Sequence, residues 1–178
     1  RMDPSHLPSA AKWINLASEK EIARVLFEYG EERHSRCMAR CIVKERHEAP
    51  ITTTGQLAEI VKAANPAWEQ DKHPAMQAFQ GIRIFINSEL DELRVRLEQA
   101  LSCLAIGGRL VVISFDSLED QMVKKFITVQ TKGDNFLCDL PVSQDMLNPR
   151  QKSVGKAIKP QAKEISSNPR AVSYTHLR

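Results

Sequence analysis

Apolar residues recur with a helical period over most of the first hundred positions, then give way once to an unbroken aliphatic run. Ser9 can cap a short helix through Leu16 that contributes Trp13 and Ile14 to a core. Ser18-Glu19-Lys20-Glu21 has the form of a capping box, in which hydroxyl and carboxylate satisfy each other's backbone amides. It predicts a second helix with Ile22, Val25, Leu26 and Tyr29 on one face and Gly30 as its stop. A third helix is expected over about 32–47, with Met38, Cys41 and Ile42 inward and Pro50 beyond its end. Thr53-Thr54-Gly55-Gln56 opens a fourth, with Leu57, Ile60, Val61 and Ala64 on one side and Pro66 after it. Four short helices with no strand between them predict an all-α lobe over residues 1–72.

Residues 65–72 read as a linker, and Pro74 suits the first turn of the next helix. Phe79, Ile82, Phe85, Ile86, Leu90, Leu93, Leu97, Leu101 and Leu104 keep helical spacing, with a break expected at Asn87-Ser88. Gln80, Arg83 and Asn87 share a face among apolar neighbours, which makes them either a satisfied core network or the wall of a site. After a Gly107-Gly108 turn, Leu110-Val111-Val112-Ile113 suits a strand covered on both faces of a parallel sheet. Ser117-Leu118-Glu119-Asp120 is a second capping box, and Met122, Val123, Phe126 and Ile127 share a face of the helix it starts. Ser114, Phe115, Asp116 and Ser117 then lie at the carboxyl end of a strand, where open α/β sheets place ligands. Residues 131–151 read as irregular, and Ser153 to Ile158 as a strand ended by Pro160. The fold class is α/β, with residues 73–178 forming the α/β part.

Charge changes this picture more than composition does. Residues 1–72 carry 11 Lys/Arg and 11 Asp/Glu, residues 73–147 carry 7 and 10, and residues 148–178 carry 7 and 1. The basic terminal segment is a phosphate-contacting element or a solvated tail. Arg33, Arg36, Arg40, Lys44 and His47 recur at spacings of three and four, so they line one face of the third helix. Such a stripe suits phosphate oxygens at fixed register, or is a solvated face neutralised by Glu31, Glu32, Glu45 and Glu48. No apolar run reaches the roughly 20 residues of a membrane span and no signal peptide opens the chain, which points to the cytoplasm. The four cysteines lack a disulfide pattern. Cys37 and Cys41 stand one turn apart near His34, but without a C-x-x-C pair or a fourth ligand they read as small buried hydrophobes, not a metal site.

The stretch Leu104-Ala105-Ile106-Gly107-Gly108-Arg109-Leu110 before a buried strand resembles the fifth-strand region of S-adenosylmethionine-dependent methyltransferases. Its continuation, Ile113-Ser114-Phe115-Asp116-Ser117-Leu118-Glu119-Asp120, resembles the I-S-F-H-S-L-E-D-R motif of the bacterial small-subunit ribosomal RNA cytosine-N4 methyltransferases, the MraW family. Arg1-Met2-Asp3-Pro4, Tyr29-Gly30-Glu31-Glu32-Arg33, His73-Pro74-Ala75, Phe79-Gln80, Arg83-Ile84, Asn87-Ser88-Glu89-Leu90 and Asn168-Pro169-Arg170 also match, in family order. The family has Thr and Arg where this chain has Met76 and Gln77. Its closing A-R-S-A-x-L-R is met only loosely after Arg170, so the last strand is altered or residues 172–178 are not a native end.

The resemblance implies the C-terminal half of a class I (Rossmann-like) methyltransferase sheet carrying an inserted all-α lobe. Such enzymes hold S-adenosylmethionine on a Gly-rich loop after the first strand and an acidic residue after the second. No G-x-G occurs here, so the cofactor site is expected upstream of Arg1 and no cofactor-binding residue within the chain. The implied partner is small-subunit ribosomal RNA or the assembling subunit. For methyl transfer to the cytosine amine, Asp116 is the implied proton acceptor, in place of the family's His, with Ser114, Arg83 and Asn87 beside it. The structural alternative for Asp116 stays open. Arg33, Arg36, Arg40, Lys44, His73, Gln80, Ser117, Lys124, Asn168 and Arg170 are the implied substrate contacts. Capping alone also accounts for Ser117 and Asp120, and Glu119 and Lys124 can pair at the surface. The competing reading is a non-catalytic helical RNA- or protein-binding module on an α/β remnant; a metabolic enzyme is disfavoured because no phosphate-binding loop is present.

Overall fold

Hydroxyl-bearing caps start the helices where the sequence places them. Ser9 accepts from the Lys12 amide, Ser18 from the Glu21 amide and Thr53 from the Gln56 amide. The Thr53–Gln56 capping box is complete, with the Gln56 side chain returning to the Thr53 amide. At Ser18 only the hydroxyl half acts within the helix, and the Glu21 carboxylate takes the Trp13 indole N–H at 3.2 Å. The computed structural model describes residues 9–65, 75–133, 149–155, 158 and 160–168. Among them the regular elements are α1 (Ala10–Leu16), α2 (Glu19–Glu28), α3 (Ser35–Glu48), α4 (Thr54–Ala64), α5 (Met76–Ile86), α6 (Glu89–Cys103), α7 (Ser117–Lys132) and α8 (Ala162–Ser167). The described residues fall into two compact units, divided after Glu89.

In the first unit α2 packs on α3 and α5, and α3 on α4. Ile22, Val25 and Leu26 of α2, Met38 and Ile42 of α3, Leu57 and Val61 of α4, and Ala78, Ile82 and Ile86 of α5 share one buried core. The compact unit therefore carries α5 with the four-helix lobe, beyond the boundary at 72 suggested by patterning. Two polar clamps fix α1. Asn15 bonds both the amide and the carbonyl of Ile51, and one Arg46 guanidinium nitrogen donates to the carbonyls of Ile14 and Ala17 at 2.7 Å each. Those carbonyls are the unpaired acceptors of a helix C-terminus, so Arg46 finishes α1 from a different element.

Gly30 and Gly81 set how closely α2 and α5 approach. A Cβ on Gly81 would lie 2.7 Å from the Gly30 nitrogen, and one on Gly30 would lie 2.6 Å from the Gln77 carbonyl oxygen. Neither neighbour is a side chain that can swing away. The chain then turns through Glu31, at φ 52, and the Glu32 amide bonds back to the Leu26 carbonyl at 3.1 Å. The predicted break falls at Asn87-Ser88, with Ser88 at φ 51.

In the second unit Leu97 of α6 and Val123 of α7 are buried, and Met122, Phe126 and Ile127 are half-buried on the predicted face of α7. Gly107, at φ 84, makes the expected turn, closed by the Gly108 amide on the Ala105 carbonyl. The expected strand is not formed: residues 110–115 carry no regular structure, and Val111, Ile113 and Phe115 are 81%, 79% and 61% exposed. Burial still alternates along this run, with Leu110, Val112 and Ser114 half-buried between them. The run has the side-chain period of a strand, but among the described residues no neighbour hydrogen-bonds it, and a ladder needs two strands. The described part of the expected 153–158 strand is likewise irregular. Residues 150 and 151 instead dock on the end of α7 through the Gln130 and Ile127 carbonyls.

Helix propensity alone favours Ala over Gly by about 1 kcal/mol inside a helix such as α5. The backbone contact reverses that sign. Gly81→Ala should lower unfolding free energy by about 1–3 kcal/mol, the usual range for overpacking, measured by urea denaturation; a gain in stability would contradict the close approach.

Candidate functional site

The basic stripe is built on α3 because the opposite face of that helix is committed to the core through Met38, Ala39 and Ile42. Arg36, Arg40, Lys44 and His47 all face solvent. Arg33 precedes the helix, in the turn before Ser35, so it flanks the stripe rather than belonging to its helical register. Arg40 approaches Glu19 at 3.9 Å, whereas among the described residues Arg36 and Lys44 form no ion pair. Of the proposed neutralising carboxylates, Glu32 is turned inward: it is buried and accepts from the His34 amide at 3.3 Å, at the start of α3. Cys37 lies exposed on the edge of this face and Cys41 is half-buried, so neither is the fully buried hydrophobe expected. Burial, then the neighbouring Cys37, pushes the Cys41 thiol above its ordinary pKa.

At the end of α5, Arg83 and Asn87 are brought together by a residue that sequence reasoning did not select. Glu89 accepts from Arg83 at 3.0 Å through one carboxylate oxygen and from Asn87 at 3.1 Å through the other. The left-handed Ser88 makes this possible, because it lets the chain turn back toward α5. A signal was present in the sequence: an acidic residue two positions past the Arg-Asn pair, just after a predicted helix break. Arg83 is exposed and Asn87 half-buried, so the trio with Gln80 is a rim and not a core network. Arg83 and Asn87, but not Gln80, border a cavity of about 480 Å³ lined also by Ile14, Ile51, Leu57, Phe79, Ile82 and Ile86.

In the second unit, Asp116 is the N-cap of α7. Its carboxylate accepts from the Leu118 amide at 2.9 Å, and Ser117, read from sequence as the cap, is instead the first helical residue. The expected S-x-x-D box is therefore not the cap: Asp116 takes that position one residue earlier, an Asp being as good a cap as a Ser and its carboxylate suiting the positive end of the helix. Asp116 is 8% exposed. Ser114 stands two residues earlier, on the half-buried side of the alternating run. Lys124 pairs with Asp120 one turn away rather than with Glu119. Asn168 caps the C-terminus of α8. His73 and Arg170 lie outside the described residues. Among the described residues the candidates thus form three groups, two in the helical unit and one on the first turns of α7, with Asn168 apart at the end of α8.

Comparison with known proteins adds a family to this geometry. The chain matches the model of the MraW methylase family over residues 1–178. It is 54% identical over 174 residues to a protein of Chromohalobacter salexigens named ribosomal RNA small subunit methyltransferase H, covering 97% of this chain and 53% of the relative. Proteins of the same name from Nitrosococcus oceani and a Marinomonas species are 53% and 51% identical, each over 97% of this chain and 55% of their own length. The chain spans about half the length of the curated relatives it matches.

The capping geometry separates two roles of Asp116. Asn caps a helix as well as Asp does, whereas Ala forfeits about 1 kcal/mol. Asp116→Ala should lower the urea midpoint measurably and Asp116→Asn should leave it near wild type; equal losses in both would mean that the carboxylate charge, not the cap, holds α7.

Proposed function

The chain belongs to the MraW methylase family, and from this we propose that it is the substrate-side portion of an enzyme that methylates the N4 amine of a cytidine in small-subunit ribosomal RNA. The observation that carries the reading is the match across 97% of the chain, at better than half identity, to proteins named for methylating that RNA. The exposed cationic face of α3 supports it, since a solvent-facing row of Arg and Lys is what tracks phosphates. The partner is the RNA itself or the assembling small subunit, which places the protein in the cytoplasm.

S-adenosylmethionine supplies the methyl group in this chemistry. The described residues do not fit its cradle: Gly107 and Gly108 close a tight turn that precedes the aliphatic run, and among the described residues no glycine-bearing loop follows a strand. The cofactor half is therefore proposed to lie in the part of the relatives' length that this chain does not span. Residues 110–115 are proposed as a strand of the shared class I sheet. Covering a Val, Ile or Phe side chain contributes roughly 1.5–3 kcal/mol each, a strong drive to pair the exposed Val111, Ile113 and Phe115.

What this chain's residues do is bind and orient the acceptor. The lone pair of the cytosine amine is delocalised into the ring, so transfer needs a base drawn out of its stack, held in line, and relieved of a proton. Asp116 is the proposed proton acceptor. Its bond to the Leu118 amide fixes the carboxylate's direction at the head of a sixteen-residue helix. Ser114 lies on the same side of the run and is placed to hold the base edge. Arg83 and Asn87, with Gln80, form the wall on the helical unit, and Arg33, Arg36, Arg40 and Lys44 hold the strand's phosphates. His73, Ser117, Lys124, Asn168 and Arg170 complete the proposed contacts.

In the complete protein, Asp116→Asn keeps the cap but removes the acceptor. Single-turnover methylation should fall by about 10²-fold or more; an unchanged rate would remove Asp116 from the chemistry. Replacing Arg36 and Lys44 together with Ala should flatten the salt dependence of RNA binding by about two units of log–log slope, roughly one per lost phosphate contact. An unchanged slope would return the stripe to a solvated face, which is what the reading as a protein-binding module requires.

A further inference from the structure

The cavity of the helical unit has a composition that phosphate binding does not explain. At about 480 Å³ it falls within the size range of ligand sites and has room for one unstacked nucleobase with part of its ribose. Its floor is aliphatic, with the ring of Phe79 among the lining residues. Apolar and aromatic walls are what replace stacking when a base leaves its strand. Its polar side chains are Arg83 and Asn87 at the end of α5, Thr52, Thr53 and Thr54 around the N-terminus of α4, and Ser9 before α1.

The α5 wall is arranged in advance. Glu89 takes one N–H group of Arg83 and the amide N–H of Asn87. The Asn87 side-chain oxygen is left as an acceptor beside the remaining Arg83 donors, and among the described residues neither has another partner. An acceptor next to a donor matches the alternating edge of a nucleobase, and the guanidinium charge suits the phosphates on either side of it. Among the described residues no carboxylate lines the cavity, and Glu89, which holds this wall, is already engaged by two donors. The cavity is therefore equipped to recognise a base and not to take a proton from one.

We infer that this cavity holds one unstacked base of the RNA strand, a base other than the cytosine that is methylated. The inference rests on the RNA reading above. Thr54 gives a clean probe, because it lines the cavity yet is exposed at the first turn of α4 and lies outside the buried core.

The test measures binding of the chain to a short cytidine-containing single-stranded oligoribonucleotide, and to a series in which each nucleotide in turn is replaced by an abasic ribose. One abasic position, distinct from the methylated cytidine, should weaken binding about tenfold, the scale of one lost base-stacking contact. Thr54→Phe should fill the cavity, weaken the intact oligonucleotide by a similar factor and make that abasic position indifferent, at an unchanged salt slope and urea midpoint. A flat abasic scan in the wild-type chain, with steep salt dependence retained, overturns the cavity inference and leaves the RNA reading standing. Weakening confined to the methylated cytidine, or normal binding by a folded Thr54→Phe chain, overturns it too. Absence of RNA binding at low salt brings down both.

Discussion

There is no room for a methyl group between Gly30 and Gly81, and much of the helical unit follows from that. Backbone meets backbone where α2 ends on α5, so α5 lies close enough for Phe85 to sit 5.2 Å from Trp13 and 5.8 Å from Tyr29, ring centre to ring centre. Arg24 covers the same ring at 5.9 Å, an interaction worth about 0.5–1 kcal/mol when exposed. These contacts fix the roll of α5. The roll turns Ala78, Ile82 and Ile86 inward and leaves Arg83 and Asn87 at the rim. One steric constraint thus determines both what α5 buries and what it offers to a ligand.

Electrostatics are divided along similar lines. Arg46 and Glu32 look like members of the charged surface in sequence, yet one completes α1 and the other takes the His34 amide at the start of α3. What α3 exposes is the row Arg36, Arg40, Lys44 and His47, with Glu45 and Glu48 also at the surface. Pairs such as Arg96–Glu92 on α6 are exposed, and such pairs contribute little to stability. Arg36 and Lys44, which form no ion pair among the described residues, present their charge to solvent.

Elements set by local chemistry were legible in the sequence. The caps at Ser9, Ser18 and Thr53, the break at Asn87-Ser88, the Gly107 turn and the inward face of α7 each depend on residues within one or two turns of one another. The family was legible for a related reason, because its motif is contiguous from Ile113 to Asp120. What escaped needs partners distant in sequence. The Gly30–Gly81 contact spans fifty-one positions, the Arg46 and Asn15 clamps about thirty, and the run at residues 110–115 has no pairing strand among the described residues. At the candidate site, Arg83 and Asn87 were visible as a helical face, but Glu89 was hidden by the left-handed Ser88 that folds it back. Asp116 was visible as an anomaly of the motif, while its capping role emerged only once α7 was seen to start one residue early.

The most direct measurement is the identity of the product. The complete protein containing this chain should be incubated with isotopically labelled S-adenosylmethionine and small-subunit ribosomal RNA, and the RNA digested to nucleosides and read by mass spectrometry. The account predicts label in N4-methylcytidine at a single position. Label on another atom or another base, or none in an RNA that the protein demonstrably binds, would contradict it.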